Sequence, residues 1–286
     1  PATGEATAAA VPPERPITYS LSVRGDFAFN TGLGDDPGDV TVSRAGINFA
    51  VGIPQGMRGQ WGLAVDFERS NYDFTGATTL SPSNPDLNFD ANITTLSLSY
   101  GRQETEQWGW LAGGSIGVAA DDGAHLGDSL VGTVFGGVSY AFSQDFRVAV
   151  GAIVATQSED NIPVLPLLSL DWQIKKRTKV SNDRKPGLVF NYALDDSWTV
   201  RVGGQYEFRD FRLDRDGPIP NGVARDRRAP FFVGIRYAPT KQIDIDVSAG
   251  AYFFQTLRVD DSGGNRLKEV DADATPFLRI GLAYKF

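Results

Sequence analysis

Four short patterns in the sequence hold residues capable of chemistry. Gly113-Gly114-Ser115-Ile116-Gly117 matches the G-x-S-x-G string of serine hydrolases. In those enzymes the serine is a nucleophile because a sharp strand-to-helix turn lifts its hydroxyl clear of the sheet. No helical period follows Gly117, so the pattern falls inside a strand. Gly127-Asp128-Ser129-Leu130 matches the GDSL string of esterases, and Asp122-Gly123-Ala124-His125 has the D-x-x-H spacing. In that hydrolase family the serine block comes first and the domain is α/β; in this chain the order is reversed. His125 is the only histidine, and it precedes Ser129 in one polar loop. A membrane-barrel hydrolase could place such a pair at its lipid-facing rim, but a solvated loop histidine is the expectation, with no hydrolysis. Asp260-Asp261-Ser262-Gly263-Gly264-Asn265 offers oxygens to Ca²⁺ without EF-hand spacing and reads as a hairpin turn. Cysteine is absent, which excludes thiolate metal sites and thiol redox chemistry. The sequence predicts no enzyme, no cofactor and no metal.

The elements that carry these patterns alternate. In the last ten residues Leu278, Ile280, Leu282, Tyr284 and Phe286 share one face, and Phe277, Arg279, Gly281, Ala283 and Lys285 the other. Such alternation is a strand with one apolar face. It recurs at Ile17–Phe29, at Trp61, Leu63, Val65 and Phe67, at Trp198, Val200 and Val202, and at Phe231, Val233, Ile235 and Tyr237. No segment shows a helical period, and no apolar run is long enough for a membrane helix. Mean hydropathy is slightly negative, which is compatible with a membrane barrel because only alternate residues meet lipid.

Short connections, near Pro54–Arg58, Arg102–Gln107, Ser143–Asp145, Asp195–Ser197 and Pro239–Gln242, alternate with longer polar ones. The longer ones lie near Thr31–Asp39, Gly76–Asp90, Ala120–Asp128, Asp214–Arg228 and Asp260–Ala274. Tyr100, Trp108, Tyr140, Phe142, Phe146, Tyr192, Trp198, Tyr237, Tyr284 and Phe286 cluster at the short connections, as in the aromatic girdle of a membrane interface. The expectation is an all-β, transmembrane, antiparallel up-and-down barrel of about 14 strands, with 12 as the alternative, spanning residues 17–286. A short strand at Thr178–Asn182 makes the count even. Residues 1–16, rich in Pro, Ala and Thr, read as a flexible periplasmic tail, and the start at Pro1 as a mature end whose export signal has been removed.

Alternation also assigns the lumen. The charges expected to face it are Arg24, Asp26, Arg44, Asp66, Glu68, Arg147, Asp171, Arg201, Glu207, Arg209, Arg236, Asp244, Asp246 and Arg279, with Lys285 at the end. Positive and negative nearly balance, so no strong ion selectivity follows; they either line water or pair into a plug. Small inward residues such as Gly62, Ala64, Ser97, Gly113, Ser115 and Gly117 favour a wet lumen. A barrel of eight strands is filled by side chains and one of sixteen leaves a channel. Net charge is −8, which argues against nucleic-acid binding.

From about Val164 to Phe286 the chain resembles an uncharacterised family of bacterial outer-membrane β-barrels. The residues that carry the likeness are Leu165-Pro166, Asp171-Trp172, Pro186-Gly187-Leu188, Tyr192-Ala193-Leu194-Asp195-Asp196-Ser197-Trp198, Gly203-Gly204 and Thr275–Phe286. The resemblance implies fold and outer-membrane location with both termini periplasmic, and no activity. Leu282, Tyr284 and Phe286 resemble the C-terminal signal read by the barrel assembly machinery. The expected partners are therefore outer-membrane lipids and that machinery. A narrow porin-like channel for small polar solutes is the leading expectation. A closed barrel that binds partners through its outer loops is the alternative, and an outer-membrane hydrolase the remote one. Arg placed at the inward Gly203 or Ser248 is expected to be milder than Arg at the outward Val200 or Ile245.

Overall fold

The computed structural model describes residues 15–80, 86, 88–156, 164–182 and 185–286. Most of the expected tail, residues 1–14, lies outside the described residues. Arg15 is described, and its guanidinium donates to the Gly59 carbonyl at 2.6 Å.

Sixteen strand segments follow one another: β1 Thr18–Leu33, β2 Asp36–Gln55, β3 Gly59–Thr75, β4 Asn88–Gln103, β5 Trp108–Asp121, β6 Leu130–Ala141, β7 Phe146–Ala155, β8 Val164–Lys175, β9 Thr178–Ser181, β10 Gly187–Ala193, β11 Trp198–Gln205, β12 Glu207–Arg212, β13 Val223–Tyr237, β14 Ile243–Asp260, β15 Arg266–Ala272 and β16 Thr275–Lys285. Both β11 with β12 and β15 with β16 are single strands with one break, so the wall is a closed antiparallel barrel of 14 strands. The last strand closes on the first in register, from Ser20↔Lys285 to Ala28↔Phe277. Closure of the last strand on the first gives their backbone hydrogen bonds a partner, which lipid cannot supply. Among the described residues the only helical element is the 3₁₀ turn Leu126–Ser129.

The outward faces carry the apolar stripes. Val233 is 58% exposed, Leu278 49% and Val202 47%, exposure that only lipid makes favourable. At the end that holds Ile17 and Phe286 the aromatic rings touch in sequence. Trp108–Tyr140, Tyr140–Phe142, Phe142–Phe146 and Phe146–Trp172 have centroids 4.7, 4.8, 5.1 and 5.6 Å apart.

The long-loop end departs from the expectation. Two residues, not a long loop, join β1 to β2. The expected loops at Asp214–Arg228 and Asp260–Ala274 are partly strand, because β13 begins at Val223 and β15 occupies Arg266–Ala272. Charged residues hid these strands, since their side chains pair with one another rather than facing lipid. Register shifts fall at Ala28/Thr31 in β1 and at Arg227/Ala229 between β13 and β14, where Phe254 takes φ 55°. Bulges bend strands, and the upper halves of β12–β15 lean over the lumen. Arg212 reaches a parallel bridge to Ala120 of β5. Beneath that roof Tyr72, Phe89 and Phe211 pack ring against ring, with centroids 4.8–5.5 Å apart, beside Leu257 and Val259. Each such side chain removed from water contributes about 1.5–3 kcal/mol.

Candidate functional site

The lumen has two unlike sides. On the side formed by β1–β3 and β11–β16 the inward charges meet. Arg24 forks onto Asp66 with two bonds of 2.9 Å and reaches Glu68 at 3.2 Å. Glu68 is also held by Arg209 at 2.5 Å. Glu207 lies among four cations: Arg228, Arg279 and Lys185 at 3.0 Å each, and Arg209 at 3.3 Å. Asp26 takes Arg279 at 2.8 Å and Arg228 at 3.3 Å, and accepts the Tyr252 hydroxyl at 2.6 Å. Arg44 pairs with Asp226, which also accepts Tyr72 Oη–H at 2.9 Å and Gln255 Nε2–H at 3.2 Å.

Asp26 and Arg279 sit on the adjacent strands β1 and β16, but Glu68 of β3 with Arg209 of β12, and Arg44 of β2 with Asp226 of β13, join strands that are not neighbours and tie the walls together. It is largely dry: Arg228 has a side-chain exposure of 0% and Glu207 of 4%. Guanidinium groups suit this role because their planar donors satisfy several carboxylates at once. A polar cavity of about 40 Å³ remains between Arg24, Arg44, Glu68, Glu207 and Arg279, room for a water molecule. Arg44 Nε and Nη1 and Arg228 Nη1 have no protein partner.

The remaining expected lumen charges sit nearer the short turns. Arg201 and Arg236 share Asp246, Lys285 bonds Asp244 at 2.7 Å, and Asp171 bonds Lys179 at 2.7 Å. Arg147 faces Asp171 across the β7–β8 ladder. Asp171 keeps 54% side-chain exposure although it points inward. Sequence reasoning missed Tyr72, Lys185, Asp226, Arg228 and Tyr252. Two of them lay in the stretch taken as a loop, and their charge, not their periodicity, was the available signal.

The side formed by β5–β8 carries no such network among the described residues. Its inner face is largely apolar, with glycines set between large side chains. Gly113, Phe135, Ile153 and Leu165 form one cross-strand row; Leu111, Gly137, Gly151 and Leu167 form the next. Below them Ser139, Ala149 and Ser169 continue the wall. Phe135, Ile153, Leu165 and Leu167 break the inward-polar rule, and the sequence reading passed over them.

The hydrolase patterns do not assemble. Ser115 lies within β5, and no helix follows that strand. Ser129 is buried, and its hydroxyl donates to the His125 carbonyl oxygen at 2.8 Å rather than to the imidazole. His125 Nδ1 lies 3.6 Å from Asp128. Asp260–Asn265 is a hairpin turn: Asp261 accepts Gly263 N–H and Asn265 N–H, each at 2.9 Å, and the Asn265 side chain at 3.1 Å. The bond from Asn265 holds the Asp261 carboxyl below the usual carboxylate range. No cluster of metal ligands occurs among the described residues.

No protein-family model matches the chain, and no curated sequence matches it. Solved structures do. A deletion mutant of the TodX monoaromatic hydrocarbon channel is 8% identical, with a TM-score of 0.50, over 96% of this chain and 91% of that one. An outer-membrane channel from Pseudomonas putida is 12% identical, with a TM-score of 0.47, over 96% of this chain and 100% of that one. LpxR from Salmonella typhimurium is 12% identical, with a TM-score of 0.39, over 93% and 99%. At 8% identity the likeness to the first of these is one of architecture, and it agrees with the barrel derived from the strand pairing. The chain has the fold of an outer-membrane β-barrel.

Proposed function

We propose that this protein is a narrow outer-membrane channel, with its short-turn end and both termini in the periplasm. The observation that carries the reading is the division of the lumen. Fixed ion pairs fill the side of β1–β3 and β11–β16, whereas uncharged residues and the half-exposed Asp171 line the side of β5–β8. Paired charges neither move nor attract a counter-ion strongly, so the plug narrows the lumen without imposing a strong selectivity. Small polar solutes would pass beside it, along Ser139, Ser169 and Asp171.

Single-channel recording of the folded protein in planar bilayers tests this reading. Small, weakly selective conductance steps are expected. Folded protein that never conducts above background would overturn it. That result would favour a closed barrel, a reading supported by the apolar roof of Tyr72, Phe89 and Phe211.

A further inference from the structure

The barrel wall is not of even height. β9 has four residues and pairs with β8 only as far as Asp171↔Ser181. β10 begins at Gly187, opposite Gln205 of β11, and just before it the Pro186 carbonyl accepts Tyr206 N–H at 2.8 Å. Above these points β8 continues through Val164–Leu170, and β12 continues through Glu207–Arg212. No described strand pairs with the side of β8 facing β12, and at the far end of β12 Arg212 meets β5 at Ala120 and the Asp128 carbonyl. The outward neighbours Leu168 and Phe208 are 66% and 45% exposed. Among the described residues the wall therefore has a notch that starts beside Leu168 and Phe208 and opens toward the long-loop end.

The notch is finished rather than frayed. Asn182 closes its floor: its side chain accepts Leu170 N–H, its backbone N–H donates to the Leu170 carbonyl at 3.3 Å, and its Nδ2 donates to the Gly187 carbonyl at 2.7 Å. The Leu170 bonds set the phase, so that Val164, Pro166 and Leu168 direct their backbone groups into the notch. Pro166 has no N–H. A proline on an edge removes a donor and discourages an added strand, which argues against a partner peptide completing the sheet. Behind the edge lies the apolar patch of Leu111, Phe135, Ile153, Leu165 and Leu167, with the Phe135 ring lying over Gly113 and with Gly137 and Gly151 adding no side chain to it. This inner surface has the chemistry of the bilayer, and the gap joins it to the bilayer.

We propose that the gap between β8 and β12 is a lateral portal through which an acyl chain of the adjoining lipid leaflet enters the lumen and lies on the β5–β8 patch. The proposal rests on the reading of that side as the uncovered part of the lumen, but not on conductance through it. Water would satisfy the carbonyls at the rim, and the chain would occupy the apolar floor.

Because the chain has no cysteine, single bimane-labelled cysteines can test the portal. The variants are Leu168→Cys, facing lipid; Leu167→Cys and Phe135→Cys, facing the patch; and Ser97→Cys, facing the lumen from the fully paired β4. Each is folded into dioleoylphosphatidylcholine vesicles and into vesicles of the same lipid with brominated acyl chains. Bromolipid should quench Leu167→Cys and Phe135→Cys at least half as strongly as Leu168→Cys, and should leave Ser97→Cys nearly untouched. Quenching at Leu167→Cys and Phe135→Cys no greater than at Ser97→Cys would overturn the portal. So would quenching of both by aqueous iodide alone. A barrel that is quenched by bromolipid yet fails to conduct would uphold the portal and reject only the channel.

Discussion

Replacing Glu207 with Gln keeps the shape of the side chain and removes the anion shared by Arg209, Arg228, Arg279 and Lys185. Removing one partner of a buried ion pair costs about 3–5 kcal/mol, because the remaining charge stays buried. Three features of the network place the loss near the lower bound, at about 3 kcal/mol. Arg209 keeps Glu68 at 2.5 Å, Arg279 keeps Asp26 at 2.8 Å, and the Lys185 side chain, 46% exposed, can turn to water. Arg228 loses most, since its side chain is fully buried and keeps the Asp26 carboxylate at 3.3 Å, with the Tyr252 ring 3.9 Å away. The control is Asp244→Asn, whose partner Lys285 is 57% exposed and whose loss should stay below about 1 kcal/mol. Denaturant unfolding from lipid vesicles, followed by tryptophan fluorescence, measures both. If Glu207→Gln costs no more than Asp244→Asn, the network does not hold the walls together, and the division of the lumen into a fixed and an open side fails with it.

Val233, on the outer face of β13, should cost roughly 2–4 kcal/mol when changed to Arg, as a charge facing lipid near the midplane does. Ser169→Arg, on the exposed inner face of β8, should cost far less in the same unfolding assay, and a reversed order would mean that the faces are inverted. The inward sites expected to be mild are not mild. A Cβ at Gly203 would lie 2.8 Å from the Leu188 carbonyl oxygen, and Ser248 is only 4% exposed, so Arg at either should destabilise strongly. Deleting Phe286 should lower the amount of barrel in the outer membrane without blocking export to the periplasm, as read by fractionation. Phe286 exchanges two backbone hydrogen bonds of 3.1 Å with Tyr19 and so finishes the closing seam. Detergent-solubilised protein should hydrolyse no phospholipid or ester. Hydrolysis that disappears in His125→Ala would refute the reading of Ser129 as a loop residue bonded to backbone.

The barrel was legible in the sequence because lipid imposes a local rule. Every second residue of a spanning strand must be apolar, so Val200, Val202, Ile243, Ile245 and Val247 announce their own face. The aromatic rings mark the interface, and an even count of alternating segments leads to fourteen strands. Local rules stop where protein replaces lipid as the surrounding medium. The upper strands around Asp226, Arg228, Asp260 and Arg266 carry charge where alternation would show apolar residues, because their partners lie on other strands, as Arg44 does for Asp226. Those pairings span up to hundreds of residues and depend on how far the bulges at Phe254 and in β1 bend the wall. Alternation alone also could not say whether the inward charges line water or bind one another. Ion pairing is decided by distances of about 3 Å across a closed lumen, and only closure creates them. The notch is likewise tertiary. Pro166 and the short β9 are visible in the chain, but that the two free edges face each other across a gap follows only from the register of the finished barrel.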